Sequence, residues 1–439
     1  MTNKNITINV IGAGLAGSES ALYLAKNGFK VNLYEMKPKK FSDAHKNANF
    51  GELVCSNSLK ATDELSASGL LKKEIELLGS SLLPIAYKTA VPSGGALSVD
   101  REKFAEEITK EIKSNPNITI ISEIIESFDT SNPTIIAAGP LCDEKLFKYL
   151  QSLVGEDNCY FYDAIAPIVS LDSIDMNYAY WGNRYDKGET KDYLNCYLTK
   201  DEYDVFYNEL VNAKCVELHN FEKLKVFEGC MPVEVLAKRD YKALTFGPMK
   251  PVGIKDPKRD TKPYAVVQLR KETINGDYLN LVGFQTNLLF GEQKRVFSLI
   301  PALKNAEFVR YGTMHRNSYI NAPKSLTKFS SLKNYPNVFI AGQISGVEGY
   351  VESISSGLFC AINMAQQLNG KPKIELSPKT CLGAIINYIT TANPQDFQPM
   401  NANYGIIDAE NLRDKEQKKK NILSASLKEI SEVLNIIKN

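Results

Sequence analysis

The sequence predicts an α/β fold in which a doubly wound parallel sheet is interrupted by an inserted α+β domain. Three observations along the 439 residues lead to this prediction. Residues 1–155 alternate strand-like and helix-like segments, residues 156–324 lose that alternation and are rich in tyrosine, and residues 325–439 return to it. We therefore expect residues 1–155 and 325–439 to build one domain with a helical tail, and residues 156–324 to form the inserted one.

The first 35 residues contain every part of a dinucleotide-binding unit. An apolar strand over residues 6–11 runs into Gly12-Ala13-Gly14-Leu15-Ala16-Gly17, and a helix then leads to a second strand that ends on Glu35. In this Rossmann-like pattern, Gly12 makes the tight turn, Gly14 admits a pyrophosphate and Gly17 lets helix and strand pack closely. The helix N-terminus offers N–H groups to the phosphates, and Glu35 is placed to accept hydrogen bonds from a ribose diol. We predict that these residues bind the cofactor.

The alternation of strands and helices continues through the rest of the first domain. Apolar periodicity predicts a helix over residues 101–113 and strands over residues 118–121 and 134–138. Within the inserted domain, β-like runs cover residues 264–270 and 278–284. A lysine-rich amphipathic helix is predicted over residues 412–438, with a solvated surface role.

A second glycine turn follows a strand near the end of the chain. Residues 337–340 are strand-like, Gly342 and Gln343 lie in the turn, and Tyr350 precedes a helix predicted over residues 351–368. Such a unit can aim a helix N-terminus at the far side of a cofactor, although it also suits an ordinary crossover of the sheet. Because flavoproteins commonly close over the flavin with a late segment, fold analogy favours FAD. A nicotinamide cofactor, NADPH or NADH, would dock without a complete Rossmann unit of its own.

Composition and charge exclude several classes of protein. Hydrophobic residues make up 44% of the chain and the formal net charge is +1, so no global field indicates nucleic acid or a membrane. No apolar run approaches the roughly 20 residues that span a bilayer, and no signal-peptide pattern opens the chain. We expect a cytoplasmic protein. The eight cysteines form no C-x-x-C pair and only three histidines occur, so we expect no metal site.

Cys230 has the strongest chemical context among the cysteines. It lies in Val226-Phe227-Glu228-Gly229-Cys230-Met231-Pro232, with Pro232 at a plausible first helical position. The dipole of the following helix would favour a thiolate, which is both a good nucleophile and a good leaving group for covalent catalysis on an electron-poor ring. A half-buried loop cysteine fits the same residues equally well.

Cys55 and His315 are weaker candidates. Cys55 falls in Glu52-Leu53-Val54-Cys55-Ser56-Asn57-Ser58-Leu59, soon after Glu35, which indicates a place on the cofactor domain. From the residues alone a core thiol is the better interpretation of Cys55. His315 could contact a ligand, but a structural histidine is the commoner case.

The charge around Cys230 is one-sided. Residues 222–271 contain twelve lysines or arginines and six acids, interleaved with aromatic residues and the turn Gly247-Pro248-Met249-Lys250-Pro251-Val252-Gly253. Such a patch suits binding to the phosphate backbone of a nucleic acid. A solvated basic face in a lysine-rich protein is the alternative.

Together these segments resemble the folate- and FAD-dependent tRNA (uracil-5-)-methyltransferase family, TrmFO. The resemblance runs from residue 11 to about residue 404 and includes the glycine unit and both cysteine segments. Its further motifs are Phe246-Gly247-Pro248-Met249-Lys250-Pro251-Val252-Gly253, Pro263-Tyr264-Ala265-Val266-Val267-Gln268-Leu269-Arg270, Gly346-Val347-Glu348-Gly349-Tyr350-Val351-Glu352-Ser353 and Phe397-Gln398-Pro399-Met400-Asn401-Ala402-Asn403.

The resemblance implies an enzyme that methylates C5 of a uridine in RNA. It implies that NAD(P)H reduces bound FAD, that methylenetetrahydrofolate donates the one-carbon unit, and that the inserted basic domain binds RNA. Cys230 matches the family's nucleophile, which adds to C6 of uracil. Cys55 matches a second functional cysteine, which removes the C5 proton or assists the adduct. The expected target is uridine 54 in the T-loop of tRNA.

Three alternatives remain open at the level of sequence. The same chemistry could act on a uridine of 23S ribosomal RNA. A relative that modifies the wobble uridine with a partner GTPase would be considerably longer than this chain. A flavin-dependent RNA-binding or redox protein that does not methylate would not need Cys230.

Overall fold

The computed structural model describes residues 6–42, 44–155, 159–164, 166–186, 190–216, 231–255, 262–273 and 275–438. Cys230 therefore lies outside the described residues, as does the segment Val226-Phe227-Glu228-Gly229 before it. For residues 159–164 and 314–316 only the backbone is described, and this includes His315.

The described part of the chain forms two main sheets, two small ones and the helices that cover them. The strands are β1 (Thr7–Ile11), β2 (Lys30–Glu35), β3 (Ser58–Ala61), β4 (Ala90–Val91), β5 (Ala96–Val99), β6 (Ile118–Ser122), β7 (Thr134–Ile136), β8 (Cys159–Ala164), β9 (Ile168–Ser170), β10 (Ala179–Trp181), β11 (Tyr193–Leu198), β12 (Ala265–Lys271), β13 (Tyr278–Leu281), β14 (Phe308–Arg310), β15 (Met314–Tyr319) and β16 (Val338–Ile340). The helices are α1 (Leu15–Lys26), α2 (Ala67–Leu77), α3 (Leu82–Lys88), α4 (Arg101–Ser114), α5 (Glu144–Val154), α6 (Lys200–Asn212), α7 (Val233–Arg239), α8 (Ala243–Phe246), α9 (Phe290–Phe297), α10 (Ala322–Ser325), α11 (Tyr350–Leu368), α12 (Cys381–Thr391) and α13 (Lys415–Lys438).

The first main sheet is parallel, with strand order β16-β7-β1-β2-β6. Its central strand β1 buries Ile8 and Val10 completely, as expected for a strand covered by helices on both faces. Strand β16 comes from the late part of the chain and joins β7, so both ends of the sequence contribute to this sheet. The predicted α/β fold class with a parallel sheet is confirmed, whereas the boundaries at residues 155 and 325 stay predictions.

The second main sheet is antiparallel, with strand order β10-β11-β12-β13-β9-β14. On β12, the alternate residues Ala265, Val267 and Leu269 are buried in a core that also contains residues of α6, α7 and α9. Strand β14 is an edge of this sheet.

Helix α1 packs against helix α11 beside the parallel sheet. The hydroxyl of Ser20 donates to the carbonyls of Ala16 and Gly357, each at 2.8 Å, and so joins the two helices. Since α1 follows β1 and α11 follows β16, this contact places two helix N-termini at the same end of the sheet.

The C-terminal helix α13 is docked on the protein, which differs from the solvated surface helix expected from sequence. Ile422, Ile430 and Val433 on its apolar face are buried. The hydroxyl of Ser426 donates to Glu74 Oε1 at 2.6 Å, and Glu74 also accepts from the backbone N–H groups of Cys381 and Leu382. One buried carboxylate on α2 therefore holds both α12 and α13. Among the described residues, no helix is both long enough and apolar enough to cross a membrane.

Candidate functional site

A cleft opens at the carboxyl ends of the parallel strands. Residues that follow β1, β2, β6, β7 and β16 all line it, which is the usual place for a ligand in an open α/β sheet. The cleft is lined by nine of the predicted cofactor residues: Gly12, Ala13, Gly14, Leu15, Ala16, Glu35, Gly342, Gln343 and Tyr350. These residues, far apart in sequence, are brought together around one cavity.

The glycine turn has the geometry that a dinucleotide requires. Gly12 has φ +101°, a conformation that L side chains rarely adopt, and a Cβ there would lie 2.4 Å from the carbonyl oxygen of Ala137. Gly17 does not line the cleft. A Cβ on Gly17 would lie 1.8 Å from the carbonyl oxygen of Gly12, so this glycine permits the close packing of α1 on the turn.

Both helices that begin at the cleft have N-termini without a side-chain cap. The N-cap residues are Gly14 for α1 and Gly349 for α11, and neither makes a side-chain cap hydrogen bond. The first N–H groups of such helices can bind an anion, and the helix dipole favours negative charge there. The pyrophosphate of a dinucleotide fits this arrangement at α1.

Glu35 is oriented by the backbone on both sides of the cleft. Its Oε2 accepts a hydrogen bond from the N–H of Ala13 at 2.8 Å, and its Oε1 accepts one from the N–H of Lys37 at 3.0 Å. A carboxylate oxygen has a second acceptor position, so Glu35 can still accept from the hydroxyls of a ribose. The residues present therefore fit both the phosphate and the ribose of a bound dinucleotide.

Cys55 lies on a loop beside this cleft. Its backbone N–H donates to the Tyr350 hydroxyl at 2.8 Å, and its neighbours Glu52 and Val54 line the cleft. Cys55 is partly exposed and is not one of the buried thiols, which include Cys196, Cys360 and Cys381. The core position that the residues alone favoured for Cys55 is therefore not its position in the structure.

Two arginines hold the backbone of the Cys55 loop. The Arg101 guanidinium donates to the carbonyls of Leu53 and Cys55 at 3.1 and 2.9 Å, and also pairs with Glu272 at 2.6 Å. The Arg310 guanidinium donates to the carbonyl of Val54 at 3.0 Å. Burial is the largest single influence on the pKa of Arg101 and acts to lower it, but the charge and hydrogen bond of Glu272 together with Tyr350 and Cys55 raise this pKa overall. The pKa of Arg310 is lowered by burial and by the neighbouring Arg101.

The helix that follows Cys230 is firmly anchored. Helix α7 begins at Val233 with Pro232 as its N-cap, one position earlier than the predicted first helical place of this proline. The buried carboxylate of Glu234 accepts from the Thr286 hydroxyl and from the N–H of Asn287, each at 2.8 Å. Burial raises the pKa of Glu234, although these hydrogen bonds oppose the shift. The described residues thus hold in place the start of the helix whose dipole was predicted to favour a Cys230 thiolate.

The predicted basic patch divides into exposed and buried members. Lys238, Arg239 and Lys242 are exposed at the ends of α7 and α8, and Phe246 beside them is 75% exposed. Arg270 on β12 is only 7% exposed, so it is not part of a solvated surface. The charges in the sequence do not show which basic side chains are exposed and which are buried. For Arg270 this depends on the strand, because alternate residues of β12 face opposite sides of the sheet.

Sequence reasoning missed several residues around the cleft. Cys142 lines it, and burial raises the pKa of this thiol to about 12. Lys37 is buried and donates to the carbonyls of Asn47 and Asn49, which holds the loop whose His45 lines the cleft. Arg101 and Arg310 lie in no recognisable sequence motif. Their hydrogen bonds to the Cys55 loop join segments that are far apart in sequence.

Comparisons with known proteins agree with this arrangement. A family profile described as Glucose inhibited division protein A matches residues 7–372. A Caldicellulosiruptor bescii protein named Methylenetetrahydrofolate--tRNA-(uracil-5-)-methyltransferase TrmFO is 54% identical over 434 residues, covering 98% of this chain and 99% of that protein. A Fusobacterium nucleatum protein of the same name is 53% identical, covering 93% and 94%. The chain belongs to the TrmFO family.

The resemblance recognised from the motifs is thereby confirmed. Among solved structures, Aquifex aeolicus GidA in its form II crystal superposes with a TM-score of 0.70 at 17% identity, covering 98% of this chain and 75% of that one. At this identity the likeness shows the fold alone. TrmFO family membership and the GidA-like fold therefore agree on a dinucleotide-binding architecture with an added antiparallel sheet.

Proposed function

We propose that this protein methylates C5 of a uridine in tRNA, with methylenetetrahydrofolate as the one-carbon donor, FAD as cofactor and NAD(P)H as reductant. The proposed target is uridine 54 of the T-loop, and an enzyme with this substrate works in the cytoplasm. The observation that carries the proposal is the contact between Cys55 and Tyr350, because it places the loop of a candidate catalytic thiol on the wall of a dinucleotide cleft.

The residues of the cleft hold the cofactor in this proposal. The turn from Gly12 to Gly17 and the first N–H groups of α1 bind the pyrophosphate, while Glu35 accepts from the ribose. Gly342, Gln343 and Tyr350 form the opposite wall. Bound FAD supplies the reducing and one-carbon-carrying chemistry.

The two cysteines act on the base. The Cys230 thiolate adds to C6 of uracil, which makes C5 electron-rich and ready to accept the one-carbon unit. Cys55 removes the proton from C5, a hydride that NAD(P)H ultimately supplies reduces the attached methylene carbon to methyl, and the Cys230–C6 bond then breaks and releases the methylated base. Both roles rest on the family resemblance together with the place of the Cys55 loop.

The exposed basic residues at the ends of α7 and α8 are the proposed RNA-binding surface. Lys238, Arg239 and Lys242 share this surface with the exposed ring of Phe246. Lysine and arginine side chains bind phosphates, and an exposed aromatic ring can stack on a base. Helix α7, which ends at this surface, begins three residues after Cys230.

A methylation assay with two RNAs tests the proposal. Purified protein is incubated with NADPH, methylenetetrahydrofolate and either unmodified tRNA or 23S rRNA, and digested RNA is analysed for 5-methyluridine. We expect product in tRNA at position 54 and none in rRNA. Product only in rRNA would replace the proposed substrate, and no product in either RNA would refute the activity.

Variants of the two cysteines test the chemistry. We expect Cys230→Ala to retain FAD and its yellow colour but to form no 5-methyluridine. RNA containing 5-fluorouridine should form a covalent complex with wild type and with Cys55→Ala, but not with Cys230→Ala. Cys360→Ala, at a buried thiol outside the cleft, is the control and should keep both activities.

A further inference from the structure

The three consecutive carbonyls before and at Cys55 all accept hydrogen bonds from guanidinium groups. Arg101 binds the carbonyls of Leu53 and Cys55, and Arg310 binds that of Val54 between them. The N–H of Cys55 is bound in turn by Tyr350. A surface loop rarely has its backbone so fully held by side chains, so the position of Cys55 is set by these partners.

Two residues of this network lie on or directly next to the antiparallel sheet. Arg310 is the last residue of edge strand β14, and Glu272, which pairs with Arg101, directly follows β12. Arg101 begins α4, on the same side of the molecule as the Cys55 loop. The loop that carries Cys55 therefore bridges two parts of the fold.

The charges of Glu272, Arg101 and Arg310 lie close together, so removing one of these side chains changes the electrostatic environment of the other two. Glu272 is 4% exposed and compensates the Arg101 guanidinium, next to which Arg310 is also largely buried. Without Glu272, two like charges would remain close together in a poorly solvated place, which is unfavourable. Both guanidinium groups also lie close enough to Cys55 to interact electrostatically with its sulfur.

We propose that Glu272, Arg101 and Arg310 are positioning residues for Cys55, through which the antiparallel sheet sets the place of this thiol. The catalytic consequence rests on the proposed function, whereas the positioning itself does not. Because helices α7 and α8, which carry the proposed RNA-binding surface, pack in the same core as the antiparallel sheet, this sheet would connect bound RNA with the thiol at the cleft. The expected signature is a loss of turnover with little loss of RNA affinity.

Four variants test this proposal in the FAD-loaded full-length protein. Arg310→Met removes the hydrogen-bond donors and the positive charge of the guanidinium. Arg310→Lys keeps the charge and some of the donors, and Glu272→Gln removes the negative charge that compensates Arg101. Tyr193→Phe is the matched control, since the Tyr193 hydroxyl donates to the carbonyl of Ser93 at 3.2 Å between the same parts of the fold but away from the Cys55 loop. FAD content and melting temperature are recorded for each protein.

Two kinds of measurement are made on each variant. One is the rate of Cys55 alkylation by iodoacetamide, measured by peptide mass spectrometry; the other is kcat and KM for tRNA methylation. We expect Arg310→Met and Glu272→Gln to change the alkylation rate at least threefold and to lower kcat about tenfold, with KM for tRNA within twofold. Arg310→Lys should recover most of both, and Tyr193→Phe should match wild type.

Unchanged Cys55 alkylation in folded Arg310→Met and Glu272→Gln proteins would overturn the proposal. If Arg310→Met does not fold, the proposal is tested with Glu272→Gln and Arg310→Lys instead. Wild-type rates of Cys55 alkylation in both of these variants would also overturn the proposal. A wild-type protein that does not methylate RNA would contradict the proposed function alone, because the alkylation rates would still decide whether the arginines position Cys55.

Discussion

The Tyr350 hydroxyl accepts a hydrogen bond from the backbone N–H of Cys55 at 2.8 Å, across 295 residues of sequence. Tyr350 is the first residue of α11, and its side chain also lines the dinucleotide cleft. One side chain thus contacts both the cofactor cleft and the loop of the candidate thiol. Any chemistry that joins a dinucleotide to Cys55 has to take place beside this ring.

We expect Tyr350→Phe to lower the methylation rate about tenfold while FAD content stays near that of wild type. The substitution leaves the N–H of Cys55 without its acceptor, which costs about 1–3 kcal/mol if the group stays buried. Rates under saturating substrates and the absorbance of bound FAD measure the effect. Tyr388→Phe is the control, because the Tyr388 hydroxyl donates to Gln398 outside the cleft. A wild-type rate in Tyr350→Phe would show that this hydrogen bond has no catalytic importance.

Glu35→Gln should weaken FAD binding roughly tenfold, equivalent to about 1.4 kcal/mol. Glutamine offers only one oxygen, so its NH₂ group would face either the N–H of Ala13 or that of Lys37, and a ribose hydroxyl would lose its acceptor. Titration of the apoprotein with FAD, followed by flavin fluorescence, gives the dissociation constant. Glu126→Gln, which breaks an exposed ion pair with Lys145, should leave that constant unchanged. Equal affinities of Glu35→Gln and wild type would exclude the ribose contact.

Charge reversal at Lys238 and Lys242 should weaken tRNA binding tenfold or more. Each phosphate contact that is lost should also reduce the slope of log Kd against log salt by about 0.7–0.9. Filter binding at several salt concentrations measures both quantities. The control reverses Lys415 and Lys428 on α13, which makes the same change in net charge on another exposed surface. If the two double variants lose affinity equally, binding is not localised at α7 and α8.

Protein stability should fall as the pH rises from about 4.5 to about 7, in part because of Glu74. Burial raises the pKa of Glu74 from 4.5 to about 7, so the folded state holds a proton that the unfolded state releases over this window. The folded state therefore binds more protons between these values, and its stability decreases by roughly 3 kcal/mol with increasing pH. Below about 4.5 and above about 7 this contribution no longer changes.

Thermal melting at several pH values compares wild type with Glu74→Gln, in which the pH-dependent loss should be smaller. Glu416→Gln on the exposed side of α13 is the control and should follow the wild-type profile. Glu19 is also buried with a raised pKa, but it is common to all three proteins and cancels from the comparison. Parallel pH profiles for wild type and Glu74→Gln would contradict the assignment of the shift to Glu74.

Local patterns determined the parallel-sheet half of the fold. The strand–glycine–helix unit that ends at Glu35 requires close backbone approaches that only glycine allows. The unit can therefore be recognised from its residue types without a structure. The helix predicted over residues 101–113 is Arg101–Ser114 in the structure, and the helix predicted over residues 351–368 is Tyr350–Leu368. Apolar periodicity is a local property, and it is visible in the sequence wherever one face of a helix or strand is packed against the protein.

Only the tertiary structure decided what surrounds Cys55. From the residues alone this cysteine looked like a core thiol, and only the family resemblance gave it a functional role. Its actual setting depends on Tyr350, Arg101 and Arg310, which meet it through long-range contacts. The sequence likewise counted Arg270 within a basic patch, whereas its position on β12 leaves it buried. Sequence by itself thus determined the cofactor-binding unit and the family, because both are written in contiguous motifs. The arrangement that holds the thiol loop is set by hydrogen bonds between distant segments, and these exist only in the folded chain.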